Sequence, residues 1–292
     1  RWWRKYSQQS LKLMKTVNSL SGGKTSSYIA ANYPADYDVF SLVRIEDESC
    51  RFKDEKIRKE VEDRLQAPFI GTAEDDTIVY TMLDLEQFIG RPITWVTGPT
   101  FEGMRQVKNG YLPNKMARYC TTELKTLPIA TWRHNTIQDD VVMRFGFRAN
   151  EHRRANTMNA KLNSNGQTEV KIVVGKHKNG TNKWQTIEYC APEYPLIDDN
   201  IYKDQIEAYW EDKPVRFAYM NNCVGCFWRG PLLLKHMHTR NANKMEYFAK
   251  MERNAKGTFR TGITYDEIIK WKPQIKLFDD SFGECDSGYC GL

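Results

Sequence analysis

The feature that most constrains the fold of this chain is a glycine turn set between a strand and a helix near residue 20. The stretch from Lys15 to Leu20 reads as a short strand and runs into Ser21-Gly22-Gly23-Lys24-Thr25-Ser26-Ser27; the helical run from Ser26 to Asn32 is then stopped by Pro34. Such a turn puts unhindered backbone N–H groups, hydroxyls and the Lys24 ammonium at the positive end of a helix, which is the set of groups a phosphate needs. A glycine-rich connection that holds no ligand is the plainer alternative.

The pattern beyond the turn alternates. Val39 to Ile45 reads as a second buried strand, Asp54 to Leu65 as a charged amphipathic helix and Pro68 to Thr72 as a third strand, the βαβ alternation of a parallel sheet. Thr77 to Ile89 is expected to be helix and Ile93 to Thr97 strand. Thr121 to His134 is expected to be helix, kinked or bounded at Pro128, and Val141 to Phe147 strand. Lys178-Asn179-Gly180-Thr181 is a hairpin signal inside a β-hairpin insertion at about residues 169–189, beside the parallel sheet. A helix at Tyr202 to Trp210 follows, and helices are expected near Pro231 to His238 and Asn243 to Ala255. The fold class is thus α/β, a Rossmann-like, mostly parallel sheet flanked by helices. Residues 1–14 read as an extension, 15–213 as the α/β domain that carries the glycine turn and 214–292 as a small Cys-bearing region.

Composition narrows the function classes. The 292 residues are 40% hydrophobic, enough for a core of ordinary size, and 43 Lys+Arg against 37 Asp+Glu give a formal +6, a mild basic bias that permits a polyanionic partner without demanding one. No stretch approaches the roughly 20 apolar residues of a membrane span, and residues 1–15 hold no apolar signal core. Seven cysteines, at 50, 120, 190, 223, 226, 285 and 290, are an odd number that argues against a disulfide framework and for metal or redox chemistry in a cytoplasmic protein.

Gly23-Lys24-Thr25 matches the end of a Walker A loop, but that motif needs a glycine where this chain has Asn18, so the loop would lack the bend that wraps phosphates. Ser21, Gly22, Gly23 and Ser26 instead fit the Ser-Gly-Gly-x-Asp-Ser motif. The turn therefore resembles the PP-loop of the phosphoadenosine phosphosulfate (PAPS) reductase family and the wider PP-loop, adenine nucleotide alpha hydrolase-like superfamily. Thr25 stands in place of the Asp, which removes a carboxylate and puts the usual handling of Mg²⁺ and pyrophosphate by the ATP-using members in question.

Three further segments resemble the family and follow its order. Arg118-Tyr119-Cys120-Thr121-Thr122-Glu123-Leu124-Lys125 is similar to its cysteine-bearing segment at a helix start, with Arg118 and Lys125 as phosphate or sulfate ligands; solvated helix charges are the alternative. Gly146-Phe147-Arg148-Ala149-Asn150-Glu151-His152-Arg153-Arg154 is similar to its Gly-x-Arg-x-x-Glu-x-x-Arg stretch. Arg148 and Arg154 are then phosphate ligands at the carboxyl edge of the sheet, and Glu151 an orienting or metal-binding carboxylate. His152 has no partner in sequence and reads as structural. Tyr194-Pro195-Leu196-Ile197-Asp198, the helix after it and Cys223-Val224-Gly225-Cys226 are similar to the family's Pro-Leu segment, helix and Gly-Cys-x-x-Cys loop.

A Cys-x-x-Cys pair can ligate one metal centre, act as a redox dithiol or simply be buried. The resemblance to adenylyl-sulfate reductases implies a 4Fe–4S cluster, with Cys120, Cys223 and Cys226 matching three ligand positions and Tyr119 standing at the fourth; the cluster would keep one open iron, as in the tRNA 2-thiocytidine enzymes, or take a further thiolate from Cys285 or Cys290. Structural zinc held by Cys223, Cys226, Cys285 and Cys290 is the rival. Gly283-Glu284-Cys285-Asp286 also resembles the Glu-Cys-Gly segment of sulfonucleotide reductases, which makes Cys285 the nucleophile that attacks the sulfate sulfur, although its acidic neighbours disfavour a thiolate. Cys50 and Cys190 have no spacing partner and read as buried.

The resemblance therefore implies an enzyme that binds adenylyl sulfate, PAPS or ATP at Ser21, Gly22, Gly23, Lys24, Thr25 and Ser26, with Arg118, Lys125, Arg148, Glu151 and Arg154 around the nucleotide. Reduction of a sulfonucleotide to sulfite would draw on a thioredoxin-like thiol reductant. The alternative, ATP-dependent thiolation, would take sulfur from a cysteine desulfurase to a nucleic-acid acceptor. A non-catalytic nucleotide-binding accessory protein with a structural metal is the third reading, left open by Thr25.

Overall fold

The computed structural model describes residues 14–221 and 223–272. In chain order the elements are β1 (Lys15–Leu20), α1 (Lys24–Asn32), β2 (Tyr37–Ser41), β3 (Arg44–Ile45), α2 (Glu55–Leu65), β4 (Gly71–Thr72), α3 (Thr77–Ile89) and β5 (Ile93–Val96). These are followed by α4 (Phe101–Val107), α5 (Tyr119–Thr121), α6 (Leu127–Thr136), β6 (Val141–Arg144), α7 (His152–Asn159), β7 (Thr168–Lys176) and β8 (Asn182–Glu193). The last are α8 (Pro195–Asp198), α9 (Lys203–Trp210), α10 (Pro231–Arg240), α11 (Ala242–Arg253) and α12 (Tyr265–Lys270). The chain forms two compact units. The first is built from residues up to Phe40, Thr81–Val96 and Leu127–Phe217; the second from Ser41–Tyr80, Thr97–Thr126 and the residues from Ala218 on.

The first unit carries a six-stranded sheet in the order β5-β2-β1-β6-β8-β7. β1 is parallel to β2 on one side and to β6 on the other, and Ala191–Glu193 of β8 run parallel to β6. The sheet is thus mostly parallel and flanked by helices, the α/β class that the alternation predicts. The hairpin is part of this sheet rather than an insertion beside it: β8 joins the parallel ladder with its last residues, and β7 pairs antiparallel with β8 at the edge. The core of this unit gathers Val17, Val39, Val141 and Met143 from the strands with Ile129 and Ala130 of α6, as buried parallel strands require.

Two expectations about the early strands are corrected. The run from Val39 to Ile45 breaks after Ser41, and the expected third parallel strand is the two-residue β4, which pairs antiparallel with β3 in a separate sheet. Phe69 is buried but lies outside the ladder, with its ring 5.9 Å from that of Phe52. Apolar burial on its own cannot tell a laddered residue from a packed loop residue. Gly71 is needed in β4, since a Cβ there would lie 2.2 Å from the carbonyl oxygen of Cys50.

Helix boundaries follow local chemistry. Asp54 caps α2 by accepting from the N–H groups of Lys56 and Ile57 at 3.0 and 3.1 Å, and Thr264 with Glu267 forms a capping box on α12. The helix expected over Thr121 to His134 is in two parts, a π-helical turn at Thr122–Thr126 and then α6. Pro128 lies in the first turn of α6, where a missing N–H breaks no helical bond. In the second unit an aromatic core of Phe101, Tyr247, Phe248, Phe259 and Tyr265 joins α4, α11 and α12.

Candidate functional site

The glycine turn leaves β1 at the point in the sheet where the strand order reverses: the connection from β1 leads to β2, and β6 lies on the opposite side of β1. Ligands of open α/β sheets bind in the crevice outside the carboxyl ends of strands at such a point. Asn18, where a Walker A loop would need glycine, is inside β1 and fully buried. Its amide nitrogen donates to the Tyr33 carbonyl and to Asp38 Oδ1 at 3.0 and 2.8 Å, and Asp38 is itself paired with Arg91 at 2.8 Å.

Gly22 takes a left-handed φ of 78°, which a side chain would strain, and Gly23 stands at the N-cap of α1. Among the described residues no side chain caps this helix end, and its first turn holds no acidic residue. The N–H groups at the start of α1 and the positive end of its dipole are therefore available to an anion. Ser26 organises the turn. Its hydroxyl donates to the Gly23 carbonyl and accepts from the Ser21 N–H, each at 3.1 Å, which leaves the Ser21 hydroxyl to donate to Ser26 Oγ at 3.1 Å. Lys24 is directed elsewhere: its ammonium pairs with Glu207 of α9 and lies 5.9 Å from the centre of the Phe217 ring, while Trp210 Nε1 donates to its carbonyl at 3.0 Å.

The segment after β6 packs directly on the turn. A Cβ on Gly146 would come within 3.3 Å of Thr25 Cγ2, so glycine permits this close approach. Beyond it, Glu151 is clamped by Arg148 Nε at 3.2 Å and by Arg154 NH1 at 2.8 Å, and it also accepts from the Arg148 N–H at 2.8 Å. The two guanidinium groups and one carboxylate leave one net positive charge at this edge of the sheet. Arg154 also stacks 4.2 Å from the centre of the Phe147 ring, which in turn stacks on Tyr194. His152, at the start of α7, is exposed and takes no part.

The second unit brings Cys120, Cys223 and Cys226 to the wall of one cavity, together with Phe101, Trp228, Phe248 and Lys125. The Cys223–Cys226 loop is fixed by its backbone. Val224 N–H donates to the Ala73 carbonyl at 2.9 Å, the Tyr265 hydroxyl donates to the Gly225 carbonyl at 2.9 Å, and Arg229 donates to the carbonyls of Asn221 and Cys223. A Cβ on Gly225 would lie 2.3 Å from Phe248 Cγ. Arg118 lies over the Trp228 ring at 4.9 Å, and Lys125 pairs with the fully buried Glu74 at 2.7 Å, so neither is a solvated helix charge. Among the described residues, no three His, Cys, Asp or Glu side chains form a group that could hold a metal ion. Cys285 and Cys290 lie outside the described residues.

No family model matches the chain. Neither a search of curated proteins nor one of solved structures finds a match.

Cys50 and Cys190 are buried, as their lack of spacing partners suggests; burial pushes the Cys50 thiol up and the Cys190 thiol up to about 12. Sequence reasoning missed Glu74, Glu207 and Trp210. Glu74 precedes Asp75 and Asp76 and reads as one of a solvated acidic run, and its partner Lys125 is 51 residues away. The amphipathic helix containing Glu207 and Trp210 is legible, but its contact with a turn 183 residues earlier is not.

Proposed function

We propose that the chain binds an adenine nucleotide through its phosphates at Ser21–Ser27 and uses thiol chemistry to reduce a sulfonucleotide, adenylyl sulfate or PAPS, to sulfite. The observation that carries this reading is the N-terminus of α1, capped by no described side chain and free of acidic residues in its first turn, opening where the strand order reverses between β1 and β6. The backbone N–H groups of the turn receive the phosphate, Ser26 holds the loop in shape, and Arg148 and Arg154 supply the net positive charge beside it. Thr25 offers a hydroxyl where a carboxylate would recruit Mg²⁺, which suits recognition of a nucleotide better than hydrolysis of ATP.

The thiols supply the second half of the reading. Cys120, Cys223 and Cys226 are soft donors around one largely apolar cavity; they do not form the group that a single ion needs, and in this reading an iron–sulfur cluster, which bridges more widely spaced thiolates, is what they would hold and would supply redox and electrostatic chemistry there. Cys285 is the nucleophile in this reading: its thiolate displaces the nucleoside phosphate from the sulfate sulfur, and a thiol reductant then releases sulfite.

The test is sulfite release from adenylyl sulfate and from PAPS by anaerobically prepared protein with a dithiol reductant. The expected result is turnover by the wild type and none by Cys285→Ser, with nucleotide binding retained and iron lost in Cys226→Ala. Sulfite release that is unchanged in Cys285→Ser rejects the nucleophile. Formation of AMP and pyrophosphate that depends on a nucleic-acid acceptor replaces reduction by thiolation, and stoichiometric zinc in a colourless protein replaces the cluster.

A further inference from the structure

The β7–β8 hairpin has two unlike faces. Val170, Ile172 and Ile187 turn towards α6 and belong to the core of the first unit or pack against it. The other face follows from the register: Glu169 is paired with Glu188, Lys171 with Thr186, Val173 with Trp184 and Lys176 with Asn182, and cross-strand partners share a face. A bulge between Val173 and Gly175 keeps Lys176 on the same side. Lys171, Trp184 and Lys176 therefore follow one another along a single solvent face, at steps of about 7 Å.

Trp184 is 47% exposed, and it is the one large hydrophobic side chain of the hairpin that is exposed to this degree. Lys171, Lys176, Lys178 and Lys183 are exposed and make no ion pair with a described residue. Residues 176–183 hold three lysines and a histidine with no acidic residue. The acidic pair lies at the opposite end of the ribbon, where Asn163 bonds to Glu188 and Glu169 at 2.7 and 3.2 Å and Asn165 to Glu188 at 2.7 Å. The ribbon thus runs from an acidic end whose carboxylates are already hydrogen-bonded to a cationic end whose lysines make no ion pair with a described residue.

We propose that this outer face of the hairpin binds single-stranded nucleic acid, with Trp184 stacking on an unpaired base and Lys171 and Lys176 meeting the phosphates on either side. A flat ring between ammonium groups is how single strands are held without sequence preference. An anionic membrane surface would call for a cluster of apolar side chains, and the hairpin exposes one ring. This surface is independent of the glycine turn and stands whether or not the turn binds a nucleotide.

The test is fluorescence anisotropy of fluorescein-labelled 20-nucleotide oligothymidylate and oligouridylate with the full chain between 50 and 200 mM salt, in excess AMP to occupy the turn. Wild-type binding should weaken with salt, Trp184→Ala should lose about tenfold or more in affinity, and combined Lys171→Gln and Lys176→Gln should flatten the logarithmic salt slope by about 1.4. Both variants alter exposed side chains, and unchanged circular dichroism confirms their fold; a matched substitution of exposed Lys59 in α2 should leave binding as it is. Oligonucleotide binding that is absent, indifferent to both variants or abolished by AMP overturns the proposal, and so does preference for phosphatidylserine vesicles over the oligonucleotides.

Discussion

The glycine turn of the first unit and the cysteine loop of the second are both short connections built around glycine, yet they are held in opposite ways. At the turn the side chains do the holding: Ser26 bonds to Ser21 and Gly23, and no described side chain caps the N–H groups at the start of α1. At Cys223–Cys226 the backbone is committed, to Ala73, Tyr265 and Arg229, and the thiols are what the loop presents. The first arrangement suits recognition of an anion by main-chain groups; the second suits thiol chemistry in an apolar pocket. Damage to the cysteine loop should therefore register mainly as lost stability, and damage to the turn mainly as lost affinity.

The largest effect is expected beneath the cysteine loop. Lys125→Met leaves the buried Glu74 carboxylate without its partner and should cost about 3–5 kcal/mol in chemical denaturation. The double variant with Glu74→Gln should recover much of that loss; if it recovers nothing, the pair is not what holds this region. Gly225→Ala comes next, at about 1–3 kcal/mol, because the new methyl meets the Phe248 ring at 2.3 Å. Gly146→Ala, whose closest contact is 3.3 Å from a threonine methyl, should cost less than Gly225→Ala in the same melts, and equal costs would erase the contrast between the two regions.

At the turn, Ser26→Ala should lower nucleotide affinity about fivefold, the value of about 1 kcal/mol for a hydrogen bond, with a smaller change in Tm than Gly225→Ala causes. Alkaline stability probes the sheet beneath. Burial raises the Cys190 thiol from 9.0 to about 12, so above pH 9 the unfolded chain releases a proton that the folded chain keeps, and stability should fall between about pH 9 and 12. Cys190→Ser should flatten that part of a Tm-against-pH profile. The smallest effect is at Glu207→Gln: releasing Lys24 from a half-exposed pair should tighten nucleotide binding by a few-fold at most.

The same contrast decides what could be read from sequence. The bounds of β1 and α3 coincide with the runs Lys15 to Leu20 and Thr77 to Ile89, because strand alternation and an amphipathic helix are local patterns. The turn is legible for the same reason: glycine, serine and lysine crowd between two such patterns. The strand expected at Pro68 to Thr72 shrinks to two residues, since hydrophobicity reports that Phe69 is buried but not whether its backbone is paired. At the cysteine loop the spacing of Cys223 and Cys226 is visible, but Glu74, the ring of Phe248 against Gly225 and the arrival of Cys120 at the same cavity depend on chain folding over long separations. Lys24 illustrates the limit at the turn itself: its charge is evident and its partner Glu207 is not.

Nucleotide recognition by the main chain of the turn is open to calorimetric titration of adenylyl sulfate, PAPS and ATP into the wild type and Gly23→Asp. Gly23 is buried but has φ −102° and ψ 158°, a conformation open to any residue, and aspartate is a good helix N-cap, so the carboxylate of the variant should occupy the anion position, with circular dichroism to confirm its fold. The wild type should bind at least one of the three, and Gly23→Asp should lose about 100-fold or more with its fold retained. Equal affinity in the two proteins, or no binding of any of the three by the wild type, would contradict recognition by the main chain.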